Sequence, residues 1–591
     1  MNVNTYYDLM SRVVLLLLLL GISSGQKVKP NIVITIGSGV GWGDIGVNNP
    51  FNTLTPKINK LASTGISYLD YHIGGNTASP SVAALPTGRH GQRNGVRKDF
   101  TPLSVGGLPS DERTLADYLK SDGYATGFIG VWDMGHQPQF LPLSRGFDFF
   151  YGTPYDPSHG CVHLNELYVP SNCNFNLTCS SEKIGVPLME GNKILEQPLN
   201  MGNMSDVMFY AKAKKFVHQA RKQKKPFLLI ISLITIKLPV FSVNENIPKK
   251  DYLLTQLDES VAMSQELLRS YGIHHDTISI FTSKTGPRDA NCDFSGDVGP
   301  YAGYWQRLSS SHGAPTLGSN WEGATRVPFV ISWPHGISSV YRNTRLTSAV
   351  DLVPTLAEVI GFNLLADRTF DGISMAQDWR REKSDDNTQR ILCFLESDTD
   401  QVMVFRKDQL KVYFRTSGAR ECNSTHDPTK ADIQHLYPLV FDLTWDQGEL
   451  HNMTYDSTFA ASLLQYKREG DAMFSQDPGL KSVADYSESE SAVICCNARC
   501  ECSSYASLAD LRFLMFNKLE SDNNDWIDAD DVDEDVNSAV VPIYGLVFIC
   551  LGVMCLVVFV MYKSYLAFFT NKSSYEPIED KSEMWRKIIS K

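Results

Sequence analysis

The stretch Asn31-Ile-Val-Ile-Thr-Ile36, entered from Lys29-Pro30 and left through Gly37-Ser-Gly39, decides the fold. Every residue from Ile32 to Ile36 is β-branched, with no polar position alternating among the apolar ones. A strand that is apolar on both faces belongs inside a sheet covered on both sides, as strand-helix-strand units produce. The same kind of run recurs at Ala125 to Val131, Phe227 to Leu233, Thr277 to Phe281 and Phe329 to Trp333. Between these runs, apolar residues three and four apart predict helices over Pro56 to Ser63, Asp111 to Ser121, Asp206 to Gln223, Leu253 to Ser270 and Ala349 to Ile360. The alternation predicts an α/β fold, with one large, mostly parallel sheet flanked by helices.

After Asp371 the pattern changes. Val402 to Phe405 and Leu410 to Phe414 read as a hairpin with Lys407 and Asp408 at its turn, and Leu439 to Leu443 reads as a further strand. A smaller C-terminal antiparallel domain is expected there, ending in a cysteine cluster and followed by a helix over Leu508 to Leu519. The predicted organisation is a large domain over 26–371, a small one over 372–503 and a helix with an acidic linker over 504–539.

The 591 residues are 43% hydrophobic, 11% aromatic and 20% charged, which excludes wholesale disorder and a collagen-like repeat. The net charge of -12 argues against a nucleic-acid partner, because such a surface repels phosphate backbones.

Both ends point to the secretory pathway. Arg12 precedes the apolar run Val13 to Leu20, and small residues follow up to Gly25, so 1–25 reads as a signal peptide. Residues 540–562 carry no charge and are long enough to cross about 30 Å of hydrocarbon as a helix. Acidic residues precede that stretch and lysines follow it, from Lys563 onward, which orients the chain as a single-pass type I membrane protein with a cytoplasmic tail at 563–591. The expected address is the cell surface or an endosomal or lysosomal membrane, with the bulk of the chain outside or in the lumen. In the tail, Tyr575 and Ile578 have the spacing of a sorting signal read by an endocytic adaptor.

Cys161, Cys173, Cys179, Cys292, Cys393, Cys422, Cys495, Cys496, Cys500 and Cys502 lie between the two hydrophobic segments. In an oxidising compartment they are disulfide candidates of unreadable connectivity. The spacing of the last four resembles a zinc knuckle, but a disulfide clasp suits the compartment better. Sequons at Asn176, Asn203, Asn423 and Asn452 are expected to carry surface glycans, making the chain a glycoprotein. His159, His163, His274, His275 and His312 have no recurrent acidic companion and read as structural or surface residues; His274 and His275 are expected to point to opposite sides.

Several motifs fall in one order. Lys29 to Ile36 is followed by Gly41-Trp-Gly-Asp44, then Ser79-Pro-Ser-Val-Ala-Ala-Leu-Pro-Thr-Gly-Arg89, Thr126-Gly-Phe-Ile-Gly130, Arg145-Gly-Phe-Asp148, Tyr151-Gly152, Trp321-Glu-Gly323 and Arg326-Val-Pro328. From Lys29 to Cys502 the chain resembles the sulfatase family, which has an alkaline-phosphatase-type fold. Val186-Pro187 and the Ile494-Cys495-Cys496 turn are arylsulfatase A-like. The resemblance implies a sulfuric ester hydrolase that uses a hydrated formylglycine nucleophile, made from the cysteine of a Cys-x-Pro-Ser-Arg sequence, and a calcium ion.

The residues at those positions do not fit that chemistry. The nucleophile position is Ala78, which has nothing to oxidise, and the motif's arginine is Val82. The implied metal ligands fall on Ser38, Gly39, Lys284 and Thr285, where a hard cation would find no carboxylate and one ammonium. The implied lysine and histidine of the Gly-Lys-Trp-His stretch are Val131 and Asp133. The remaining pocket positions are Asp156, Lys237 and Leu317. Loss of a nucleophile alone costs on the order of 10⁶-fold in turnover. The expectation is therefore a catalytically inactive, sulfatase-like ectodomain with no cofactor, in which Lys237, Lys284, Asp133 and Asp156 neutralise one another. It would act by binding an extracellular protein or glycan, or as a structural partner. The rival reading is an arylsulfatase-type hydrolase that works with calcium through an atypical site.

Overall fold

The computed structural model describes residues 29–160, 184–234, 249–287, 296–308, 316–381, 391–395, 401–417, 433–454, 463, 465–472, 481–495 and 502–503. All of them lie in the unit Met1–Ser504. The expected leader, the helix over Leu508 to Leu519, the span 540–562 and the tail with Tyr575 and Ile578 lie outside the described residues. Among the described residues no helix is long and apolar enough to cross a membrane.

The strands of the large sheet are, in chain order, β1 (Asn31–Gly37), β2 (Gly65–Tyr68), β4 (Ala125–Val131), β5 (Phe149–Thr153), β6 (Leu188–Glu190), β7 (Lys193–Gln197), β8 (Phe227–Ser232), β9 (Thr277–Ser283), β10 (Phe329–Ser332), β11 (Tyr341–Asn343) and β17 (Cys502–Ser503). A two-stranded pair, β3 (Tyr71–His72) and β12 (Thr347–Ser348), stands apart from it. The order across the large sheet is β11-β2-β10-β9-β1-β8-β4-β5-β6-β7-β17.

The centre, β9-β1-β8-β4-β5, is parallel, and all of its strands but β5 are among the runs read from the sequence. The sheet as a whole is mixed, which corrects the expectation of a mostly parallel one: β10 runs antiparallel to both β9 and β2, and β6, β7 and β17 run antiparallel beyond β5. Antiparallel neighbours need no crossover, so short strands can be added at either flank.

Ile32, Ile34, Ile230 and Ile280 join a core with Leu115, Leu119, Leu352 and Val353 from neighbouring helices. The helices Pro56–Ala62, Asp206–Lys222 and Lys249–Ser270 agree with the sequence reading to within a few residues. The helix expected from Asp111 begins at Leu115, because Thr114 and Asp117 form a capping box in which Thr114 Oγ1 accepts from the Asp117 amide at 3.2 Å. The helix expected over Ala349 to Ile360 is broken into a 3₁₀ turn, an α-helical turn and a π turn around Pro354.

The small antiparallel sheet comprises β13 (Ile391–Leu395), β14 (Val402–Lys407), β15 (Leu410–Thr416) and β16 (Ile433–Asp442), paired in that order. Its core of Leu392, Val404, Tyr413 and Phe441 takes in Trp321 from the large domain. Beyond residue 481 the chain returns to the large domain: the Ser489 amide donates to the Leu103 carbonyl, His136 Nε2 meets the Ala492 carbonyl at 2.8 Å, and β17 pairs with β7. Residues 481–495 and 502–503 therefore pack on the large domain.

Candidate active-site pocket

The parallel centre of the sheet assembles the pocket at the carboxyl ends of its strands. Gly37 of β1 is in register with Ser283 of β9, so the residues that follow each strand emerge side by side. The Lys284 amide donates to the Gly37 carbonyl at 2.9 Å, and the Gly39 amide donates to Thr285 Oγ1 at 2.9 Å. Gly39 takes φ 75, a backbone that suits glycine and lets the two loops meet. Ser38, Gly39, Lys284 and Thr285 are thus brought together, and all four are buried.

Next along the sheet, Val131 of β4 is in register with Thr153 of β5. Asp133 follows with φ 57, a left-handed backbone that aspartate tolerates better than most residues, and its amide donates to the Pro154 carbonyl at 3.2 Å. That turn aims its carboxylate at the β9 loop. Lys284 Nζ donates to Asp133 Oδ2 at 2.5 Å, with the lysine only 3% exposed. Burial by itself would depress the Lys284 pKa, but the charges of Asp133 and Asp156, the bond to Asp133 and the charge of Asp99 together raise it above the usual lysine range. Asp156 is buried beside them and accepts from the Ser158 amide and hydroxyl at 2.9 and 2.7 Å.

The helix Ala78–Thr87 brings its N-terminus here. Asp99 Oδ1 accepts from the Ser79 amide at 2.7 Å, as an anion at a helix N-terminus should. Ser79 Oγ accepts from the Phe100 amide at 3.3 Å, so that hydroxyl is engaged in structure. Ala78 is half-buried, and Val82 packs into the main core. The Leu317 amide donates to the Pro287 carbonyl and the Gly318 amide to the Asn76 carbonyl, which ties the stretch around Leu317 to the β9 loop and to the residues before Ala78. Lys237 lies outside the described residues.

A calcium ion wants six or more oxygens, several of them charged. The implied ligand positions offer hydroxyls, backbone and the Lys284 ammonium, so the residues present do not fit the ion. A second cluster, Asp70, His72 and Glu322, has ligand atoms within 4.8 Å of one another. Its centre holds a guanidinium: Arg406 Nη1 lies 3.0 Å from Asp70 Oδ1, 3.0 Å from Glu322 Oε2 and 2.8 Å from His72 Nε2. Lys411 Nζ adds a contact to Glu322 Oε1 at 2.8 Å. Burial would raise the Glu322 pKa, but Arg406 and Lys411 hold it well below the usual carboxylate range. Burial keeps His72 below the usual histidine range and hence neutral. This cluster welds the small sheet to the large domain, and a cation already stands where a metal would sit.

Sequence reasoning missed Asp99, the Arg406 cluster and Asp44. Burial pushes Asp44 up to about 6, although Lys250 lies 3.0 Å from it and the Gly41 and Asp297 amides donate to it. The only signal for Glu322 and Arg326 was their place in a motif that carried no stated role.

Two surface expectations change. The Asn203 side chain is buried, with Nδ2, the atom that would carry a glycan, donating to Glu196 Oε2 at 2.7 Å; this sequon is not the open surface position that was expected. His274 and His275 do not point apart, because a 3₁₀ turn sets their ring centroids 3.8 Å apart. Asn452 is half-buried, and its Oδ1 accepts from the Val440 amide. His159 is exposed, whereas Asn176, Asn423, His163 and His312 lie outside the described residues. Cys495 is disulfide-bonded, Cys393 lies on β13 and Cys502 on β17; Cys161, Cys173, Cys179, Cys292, Cys422, Cys496 and Cys500 lie outside the described residues.

The family description Sulfatase matches residues 30–362, more than half of the chain, and the C-terminal region of aryl-sulfatase matches residues 387–504. The chain belongs to the sulfatase family. Human arylsulfatase G is 32% identical over 499 residues, covering 81% of this chain and 93% of the relative. Human arylsulfatase A is 30% identical over 455 residues, covering 74% and 86%. Among solved structures, the PsFucS1 sulfatase from Pseudoalteromonas sp. superposes with a TM-score of 0.62 at 23% identity, covering 77% of this chain and 93% of that one, which supports the fold alone. Within this sulfatase fold the pocket lies where the family's chemistry is expected, but with an internal ion pair at its centre.

Proposed function

We propose that this sulfatase-family chain is a pseudoenzyme: a type I, membrane-anchored ectodomain that does not hydrolyse sulfate esters and acts by binding an extracellular or lumenal protein or glycan. The observation that carries this reading is the Lys284–Asp133 pair beside Ala78. Hydrolysis of a sulfate ester needs a nucleophile, positive charge for the sulfate oxygens and a proton donor for the leaving alcohol. Ala78 offers no nucleophile. Lys284 is the cation among the described pocket residues, and its charge is already taken up by Asp133. To bind a sulfate group, Lys284 would have to leave a buried carboxylate unpaired, which costs several kcal/mol, about 3 to 5.

The anchoring, the secretory address, the glycans and the adaptor contact rest on the leader, the apolar span, the sequons and the tail. The purified full-length chain, assayed on a fluorogenic aryl sulfate with added calcium beside an authentic arylsulfatase, is expected to give no turnover above buffer. Clear turnover overturns the reading in favour of the family's usual activity through a different nucleophile.

A further inference from the structure

At the edge of the sheet opposite the pocket, a run of cations closes the helix Asp206–Lys222. Between Asp206 and Glu245 the sequence holds no Asp or Glu, and Arg221-Lys-Gln-Lys-Lys225 sets four cations in five residues, all of them exposed. Lys214 stands seven residues before Arg221 and so on the same face of the helix. In a chain of net charge -12 this strip is a local inversion. The Ala125 amide donates to the Pro226 carbonyl at 2.9 Å where β4 and β8 begin, whereas the pocket lies where they end. The length of β8, about 20 Å at 3.3 Å per residue, separates the two.

Two observations set the strip apart from an ordinary solvated face. Lys212 and Lys215 lie 2.9 and 3.2 Å from Glu190, so their charge is taken up, but among the described residues Lys214, Lys222, Lys224 and Lys225 pair with no carboxylate. The other observation is the helix end. The Lys224 amide donates to the Arg221 carbonyl at 2.8 Å and the Lys225 amide to the Ala220 carbonyl at 3.1 Å, the two bonds of a Schellman cap whose pivot, Lys224, takes φ 53. Glycine is the residue that fits such a left-handed pivot without strain. The helix dipole favours cations in the last turn and so accounts for Arg221 and Lys222, but not for a lysine at the pivot.

We propose that Lys214, Arg221, Lys222, Lys224 and Lys225 form a docking strip for a linear sulfated glycan. Sulfate esters stay ionised across the pH range of the secretory pathway and recur along such a chain, which a row of unpaired cations complements. From Lys214 to Lys225 the strip runs about 15 Å at 1.5 Å per residue, the reach of a short oligosaccharide. Lysine binds as a mobile point charge, so the strip reads charge density more than the identity of one sugar. The proposal gives a ligand class to the binding role proposed above and rests on that role, but not on the state of the pocket.

The full-length chain is titrated with a heparin hexasaccharide by calorimetry. Binding that weakens as salt rises is expected, with affinity about tenfold lower in the triple variant Lys222→Ala, Lys224→Gly, Lys225→Ala. Lys224→Gly alone removes a charge while supplying the residue that the cap prefers, so affinity is expected to fall with no fall in melting temperature; a merely structural lysine would leave affinity where it was. Lys60→Ala, which changes an exposed lysine elsewhere, is expected to leave binding unaltered. An absence of binding, equal binding by the triple variant or an equal loss in Lys60→Ala overturns the proposal. So does a triple variant that loses only its binding to phosphatidylserine vesicles, which would assign the strip to a membrane surface. None of these outcomes bears on aryl sulfate turnover, so failure of the strip is told apart from failure of the pseudoenzyme reading.

Discussion

The ammonium of Lys284 lies 2.5 Å from Oδ2 of Asp133, and both side chains are sealed from solvent. The two come from loops 151 residues apart and meet only because β9 and β4 end on the same side of the sheet. Removing one member strands the other's charge. Lys284→Met is expected to destabilise the chain by about 3 to 5 kcal/mol, and Lys284→Met with Asp133→Asn by clearly less than the sum of the two single changes. Urea denaturation of the four proteins measures the coupling; additive effects would show that the pair is not one unit.

Restoring the nucleophile alone is expected to restore nothing. Ala78→Cys recreates Cys-x-Pro-Ser, but Val82 still stands for the arginine and Lys284 still occupies the metal's ground. The variant should give no aryl sulfate turnover above buffer with calcium present. Measurable turnover would mean that the ion pair opens to admit a cation or the substrate.

Arg406 is the keystone of the contact between the small sheet and the large domain. Arg406→Leu leaves Asp70 and Glu322 buried with Arg326 and Lys411 as their remaining cations and is expected to cost about 3 kcal/mol. Arg406→Lys should recover only part of that, because one ammonium cannot reach both oxygens of Asp70 together with Glu322 and His72. The unfolding midpoints of the two variants test the ranking.

Asp206 gives a pH dependence whose sign can be worked out. Burial pushes its pKa up to about 6 from 3.8, against a hydrogen bond from Ser260, so the folded state holds a proton that the unfolded state has released. Its contribution is full below the unfolded value and is lost as pH rises through about 6. Asp44, also raised to about 6, acts in the same sense. His72 and His136, lowered by burial, act oppositely: their contribution is present above the unfolded value of 6.5 and is lost as pH falls through their depressed folded values. Asp206→Asn isolates one component, and its stability relative to the parent is expected to improve as pH rises between about 4 and about 7. A difference that does not change with pH would refute the assignment.

Asn203→Gln removes a sequon whose amide nitrogen faces Glu196. The electrophoretic mobility of the expressed chain is expected not to change, with a modest loss of stability of about 1 kcal/mol from the lost hydrogen bond. A downward shift in mass equal to one glycan would show that the site is occupied.

The central strands were legible because a parallel strand covered on both faces writes itself as an unbroken apolar run, as at Ile32 to Ile36 and Phe227 to Ile231. β5 was not, since Phe149-Phe-Tyr-Gly-Thr153 mixes a glycine with aromatics, and β2 and β11 are too short to show a period. The pocket positions could be read because Pro80, Gly130 and Pro154 pin their neighbours. Asp99 could not: its bond to the Ser79 amide crosses 20 residues, and no spacing announces a cap supplied from so far downstream. Arg406 reaches Asp70 across 336 residues, and a lone arginine on a strand gives no sign of which carboxylates it will meet. The two neighbouring histidines at 274 and 275 were read with strand alternation, whereas the local chain is a 3₁₀ turn, where successive side chains diverge by less.

The return of the chain to its starting domain has a cost in time. β17 closes on β7 about 300 residues after it was made, and the Ala492 carbonyl receives His136 only when residue 492 has emerged from the ribosome. A nascent chain must hold the β7 edge and the Leu103 to Gly107 rim uncovered until then, with nothing local to occupy them. Synthesis that stops near residue 480 would therefore leave an almost complete sheet with an open margin, exposed to pairing with other chains. The last strand is thus what distinguishes a finished fold from an unfinished one.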